Sequence, residues 1–146
     1  MSANEYPDAL LKKILRSVKT IAMVGASASP SRPSNGVMRF LQSRGYRVIP
    51  VNPNLTVSTL HGEPVYAALR DVGEAIDMVD VFRRSDAAGG VADEAVAASA
   101  KVLWMQLGVR NEAGAARAEK AGLTVIMDRC PAIEIARLFG NGPVRS

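Results

Sequence analysis

Residues 20–36 read TIAMVGASASPSRPSNG, an apolar run of strand length that breaks at Gly25 into a loop of small residues, serines and prolines. A buried strand that passes through a glycine turn into a helix is the first βα junction of an open parallel sheet, where such sheets hold anions. The dinucleotide fingerprint G-x-G-x-x-G is not met, because Ser27 stands at the second glycine and Pro30 at the third. What remains still favours a negative ligand. Small residues bring backbone N–H groups close to it, serine hydroxyls add donors, and Arg32 adds charge. The following helix points its positive end at the loop. The expectation is a phosphate-binding loop over 25–36, with a plain serine-rich βα turn as the alternative.

Outward from this junction the same unit repeats. A leading helix is predicted over 7–18, with Pro7 in its first turn and Leu10, Leu11, Ile14, Leu15 and Val18 at helical spacing. Strands are predicted over 20–25, 46–51, 75–82, 101–108 and 123–128. Helices are predicted over 35–44, ending at Gly45, and over 86–99, 111–121 and 131–139. Asp86 is the expected cap of the second of these, with Gly89 and Gly90 weakening its first turns. The last begins on Pro131 and stops at Gly140. The segment 52–66, NPNLTVSTLHGEPVY, breaks the pattern, with an extended piece expected near Val57 and a short helix over 65–71. Five apolar strands separated by helices predict an α/β fold: a Rossmann-like, doubly wound parallel five-stranded sheet, forming a single domain over 1–146. Ligands of such sheets bind beyond the carboxyl ends of the strands.

Composition sets the class. The 146 residues are 48% hydrophobic and 22% charged, a globular balance. No apolar run reaches the length of about 18 residues that a membrane span needs. The opening MSANEYPDAL carries neither the basic nor the apolar region of a secretory signal. One cysteine and one histidine exclude an intramolecular disulfide and a histidine-rich metal site, and a cytoplasmic location is expected. The net charge of +4 suits an anionic partner. Nucleic acid is disfavoured by 5% aromatic content and the lack of a recognition motif.

The strand ends carry the remaining candidates. After the second strand, Asn52-Pro53-Asn54 lacks the acid that grips a ribose in NAD sites, so an NAD(P) reading loses support twice. Its two asparagines are suited to a sugar or base, and an Asn-Pro turn explains them equally. After the third, Phe82 suits an adenine or a pantetheine arm, and Arg83 with Arg84 suits a phosphate. A solvent arginine beside a surface ion pair is the alternative. After the fourth, Trp104 and Met105 read as core, while Gln106 faces the crevice or satisfies a loop amide. After the fifth, Cys130 precedes a helix start, which favours a thiolate. His61 lies far off in the irregular segment and reads as a turn or surface residue, so a Cys–His pair is a minor alternative.

Together, IAMVGASASPSRPSNGVMRFLQSRGYRVIPVNPN, GEPVYAAL, IDMVDVFRRSD, KVLWMQLGV and VIMDRCPAIEIARL resemble the small stand-alone CoA-binding domain proteins. These are similar to the N-terminal CoA-binding domain of the succinyl-CoA synthetase α subunit. The resemblance spans about residues 15–139. It implies a Rossmann-type fold with coenzyme A across the strand ends. Gly25, Ala26, Ser27 and Arg32 would line the diphosphate loop, with Ser34 and Asn35 at the helix start. Asn52 and Pro53 would flank the nucleotide, and Phe82, Arg83 and Arg84 would contact the nucleotide or pantetheine. Gln106 and Gly108 would edge the crevice. The synthetase's phosphohistidine domain has no counterpart here, and Ala132 stands where a lysine often follows the RCP motif. The implied function is non-catalytic binding of coenzyme A or an acyl-CoA, with a possible partner enzyme. The alternatives are an enzyme on an acyl-CoA or nucleotide, with Cys130 or Asp128 reactive, and an NAD(P) domain. No catalytic residue and no metal ligand is assigned.

Overall fold

A computed structural model describes residues 6–145. The first unit runs through α1 (Asp8–Ser17), β1 (Thr20–Val24), α2 (Pro33–Ser43) and β2 (Arg47–Val51). A hairpin of β3 (Thr59–Leu60) and β4 (Glu63–Pro64) and a 3₁₀ turn (Leu69–Asp71) follow. The second half alternates β5 (Met78–Val81), α3 (Ser85–Ala97), β6 (Val102–Met105), α4 (Glu112–Lys120), β7 (Thr124–Ile126) and α5 (Pro131–Phe139).

The five long strands lie in the order β2-β1-β5-β6-β7, all parallel. Alternate residues of these strands feed two cores, so both faces are dry. Val79, Val81, Leu103 and Met105 pack with Ala88, Val91, Ala92 and Ala95 of α3 and with Ala115 and Ala118 of α4. Ile21, Met23, Val48 and Trp104 pack on the other face with residues of α1, α2 and α5, including Leu11, Met38 and Ile135. Burial on both sides is why the strands read as continuous apolar runs. The chain passes from β1 outward to β2, then returns past β1 to β5. The switch point therefore lies between the carboxyl ends of β1 and β5.

Six local expectations change. Helix α2 starts at Pro33, two residues before the predicted start, with proline in the first turn. Helix α3 starts at Ser85 and is preceded by Arg84; Asp86 lies inside the first turn and not at the cap position, paired with Arg84 at 2.6 Å. Gly89 does more than weaken that helix, because α4 crosses it there: a methyl group on Gly114 would sit 2.9 Å from the Gly89 Cα. The helix expected over 65–71 is a single 3₁₀ turn, and Val57 lies outside any strand. The segment instead bridges Tyr66 to Val51, and Asn52 N–H donates to the Tyr66 carbonyl at 2.9 Å, covering the β2 edge. The fourth strand stops at Met105, because Val109 N–H closes a turn onto the Gln106 carbonyl at 2.8 Å.

Candidate functional site

The ends of β1, β2 and β5 are drawn together by backbone bonds. Gly25 N–H donates to the Val51 carbonyl and Phe82 N–H to the Val24 carbonyl, each at 2.8 Å. Beyond them the 26–32 loop is held from two sides. Asn52 Nδ2 donates to the Ala26 carbonyl and Asn35 Nδ2 to the Ser27 carbonyl, both at 2.9 Å. Two loop carbonyls are thereby satisfied by protein donors. Among the described residues, no acceptor takes the backbone N–H of Ala26, Ser27 or Ala28. Ser29 N–H folds back on Ser27 Oγ at 3.1 Å.

This loop walls a polar cavity of about 370 Å³, with Gly25, Ala26, Ser27, Arg32 and Ser34 on one side and Asn52, Asn54, Leu55 and Phe82 on the other. Arg32, exposed at the start of α2, makes no ion pair among the described residues. Asn35 is 4% exposed and acts on the cavity only by holding the loop. Asn52 also accepts Asn54 N–H at 2.9 Å, an Asx turn that shapes the wall. Pro53, exposed within that turn, does not reach the cavity.

Pro33 and Phe82 are shared with a second, apolar cavity of about 780 Å³. Its walls are the Val37 and Phe40 face of α2, Gln106 and Leu107 after β6, and Cys130, Ala132 and Ile133 at α5. Both arginines after β5 line this cavity and differ in their partners. Arg84 forms an exposed ion pair with Asp86, while Arg83 makes none among the described residues and lays its stem beside Gly25. Gln106 is 8% exposed, and its buried Oε1 has no partner among the described residues. Gly108 lines neither cavity; its N–H donates to Asp128 Oδ1 at 2.7 Å, so both residues close the loop beside the site. His61 sits in the β3–β4 turn, where its carbonyl accepts Gln42 Nε2 at 3.1 Å, and it lines no cavity with Cys130. Trp104 is core, its Nε1 donating to the Arg129 carbonyl at 2.8 Å.

Sequence reading missed the α2 wall, although Val37 and Phe40 are spaced as one helical stripe. It also missed Asp80. This carboxyl lies in β5 between Met23 and Trp104, is fully buried and has no hydrogen-bond partner among the described residues. Burial pushes its pKa well above the usual carboxylate range. Strand alternation puts it on the same face as Phe82, beneath the trough. Among the described residues no cluster of three or more acidic, histidine or cysteine side chains is placed to hold a metal, and no helix is long and apolar enough to cross a membrane.

A parallel sheet with a polar cavity at its switch point and an apolar one beyond it defines the Rossmann-like class of α/β domains. Within that class, the chain belongs to the CoA binding domain family, whose model matches residues 19–136. It is 42% identical over 120 residues to the Bacillus subtilis protein YneT, covering 82% of this chain and 87% of the relative. It is also similar to a solved structure from Thermus thermophilus, cell-free ID.343, at 40% identity and TM-score 0.87, covering 92% and 100% of the two chains. The dinucleotide forming acetyl-coenzyme A synthetase 1 of Ca. Korarchaeum cryptofilum matches at 28% identity and TM-score 0.64. That match covers 77% of this chain but 27% of the synthetase.

Proposed function

We propose that this protein binds coenzyme A, or an acyl-CoA, along the trough and catalyses no reaction on it. The observation that carries this is the joining of two unlike cavities at Pro33 and Phe82. One offers open N–H groups and Arg32; the other offers a long apolar wall ending at Gln106. Coenzyme A has that same division, a phosphorylated nucleotide followed by a pantetheine arm. The diphosphate is assigned to Gly25, Ala26, Ser27 and the start of α2, with Ser34 at its edge. The nucleotide is assigned to Asn52, Asn54 and Arg32. Phe82, Val37 and Phe40 flank the pantetheine, and the Arg83 stem covers the junction.

Support for the non-catalytic part comes from the lining. Neither cavity has an Asp, Glu or His in its wall, and the carboxylates that share a separate cavity with Cys130, Asp8 and Glu134, are both paired with Arg137. Support against NAD comes from the end of β2, where Asn52 and Asn54 line the cavity and no Asp or Glu stands to grip a ribose. The synthetase relative carries a similar domain in a larger chain, which fits a cytoplasmic CoA carrier or sensor that serves a partner enzyme.

Titration calorimetry of the purified protein with CoA, dephospho-CoA and NAD tests this. CoA binds and NAD does not; absence of CoA binding at millimolar concentration sinks the proposal. Native mass spectrometry of freshly purified protein gives a second readout, the co-purified ligand.

A further inference from the structure

Next to the apolar cavity lies a further one of about 640 Å³, framed by the starts of α1 and α5. The two share Leu107, Cys130 and Ile133 as wall, so they adjoin across a ridge made by the loop after β6 and the first turn of α5. Leu107 and Ile133, at 58% and 54% exposure, are the most exposed large hydrophobic side chains among the described residues. Apolar side chains gathered at a cavity rim mark a surface that a ligand covers. Past the ridge, Pro7 and Leu11 at the start of α1 continue the apolar lining. The charged groups of that lining are two arginines and two carboxylates, so their charges cancel. They also have partners within the chain. Arg137 pairs with Asp8 at 3.0 Å and with Glu134 at 2.8 Å, and the Arg129 guanidinium lies over the Tyr6 ring, 5.4 Å from its centroid.

We propose that this second cavity holds the acyl chain of an acyl-CoA, and that the ligand is a thioester with a neutral, unbranched chain of several carbons. This rests on the CoA reading of the trough. A pantetheine arm laid along Val37, Phe40 and Phe82 reaches the ridge at its sulfur end. Whatever is attached to that sulfur passes over Leu107 and Ile133 and into the second cavity. The space there lies within the roughly 300–1,000 Å³ that encloses a whole small ligand, more than an acetyl group fills. Neutrality of the chain follows from the lining. A terminal carboxylate would compete with Asp8 and Glu134 for Arg137, the cation they share. A hydrocarbon chain disturbs no ion pair and covers the exposed ridge. The chain is held by burial alone, and no bond to the protein forms.

The test is calorimetry of the whole protein, freed of ligand, with CoA, acetyl-CoA, butyryl-CoA, hexanoyl-CoA and octanoyl-CoA. Each two-carbon step beyond acetyl-CoA tightens binding by at least about threefold, a modest part of the roughly fourfold per methylene that full burial gives. Succinyl-CoA binds no more tightly than acetyl-CoA. Pro7 lines the acyl cavity and neither of the other two, and aspartate is a favourable residue ahead of a helix. Pro7→Asp therefore keeps the affinity for CoA within about twofold and removes the gain with chain length. Amide NMR shifts give a readout that needs no variant. Replacing bound CoA by octanoyl-CoA moves the signals of Asp8, Leu11, Leu107 and Ile133. Affinity that stays flat from acetyl-CoA to octanoyl-CoA, a gain that persists in folded Pro7→Asp, or shifts that spare α1 overturn the inference and leave the CoA reading standing. So does succinyl-CoA binding more tightly than butyryl-CoA. Failure to bind CoA and every thioester overturns both.

Discussion

At Gly25 the chain turns with φ 95°, and a methyl group added there would lie 2.1 Å from the carbonyl oxygen of Phe82. That oxygen belongs to backbone and cannot step aside. Gly25→Ala is therefore expected to cost about 2–3 kcal/mol in urea denaturation. It should also weaken CoA binding by about tenfold or more, since the loop donors move with it. Unchanged stability and affinity would show that β1 and β5 tolerate separation. Asp80 makes a different prediction. Its folded pKa is raised by burial, so as pH climbs above the ordinary value of 3.8 the unfolded chain loses this proton while the native chain keeps it. The native state then binds more protons than the unfolded one, and stability falls with rising pH until the folded pKa is passed. Asp80→Asn removes that slope. Denaturation across pH 4 to 8 (a range of about four units) should show the variant gaining on the wild type as pH rises; parallel curves would refute it. Gly25 was readable from sequence as a turn. Asp80 was not, because alternation in IDMVDVF does not tell which acidic residue lies under a helix.

Helix α4 meets α3 where Gly89 faces Gly114, and Asn111 locks the start of α4 by accepting Gly114 N–H at 2.8 Å and donating to the Ser85 carbonyl at 3.0 Å. Gly114→Ala places a methyl against the Gly89 backbone and should cost about 1–3 kcal/mol. These helices cover the face opposite α2 and α5, so CoA affinity should stay within about twofold. A thermal melt paired with calorimetry separates the two effects. The long elements were legible because their apolar periods are strong. The start of α2 was misplaced because its apolar residues begin at Val37, although Pro33 carries the same first-turn signal that placed α5 at Pro131. The β3–β4 hairpin escaped notice for a physical reason. Its turn takes positive φ at His61 (49°) and Gly62 (84°), and histidine is a weak marker of that conformation beside asparagine. Each strand has only two residues, too few to alternate.

Across the molecule, the chain carries a net charge of +4, and Arg32 and the start of α2 line the polar end of the trough. CoA affinity should therefore fall as salt rises, and Arg32→Ala should lose about tenfold at low salt while flattening that dependence. Titrations at two ionic strengths check both, and an unaltered salt slope in the variant would remove Arg32 from the phosphate site. The sequence by itself determined the α/β class, the succession of strands and helices, and the glycine turn that ends β1. Local periodicity and turn chemistry act over a few residues, and those features are local. Tertiary structure alone decided that Pro33 and Phe82 join a polar cavity to an apolar one, and that Asn35 holds the loop from behind. It alone paired Arg84 with Asp86 and placed Cys130 beside Gln106 at the far end of the trough. Those relations depend on how strands distant in the chain are ordered and how helices lie across them, which spacing along the chain does not encode.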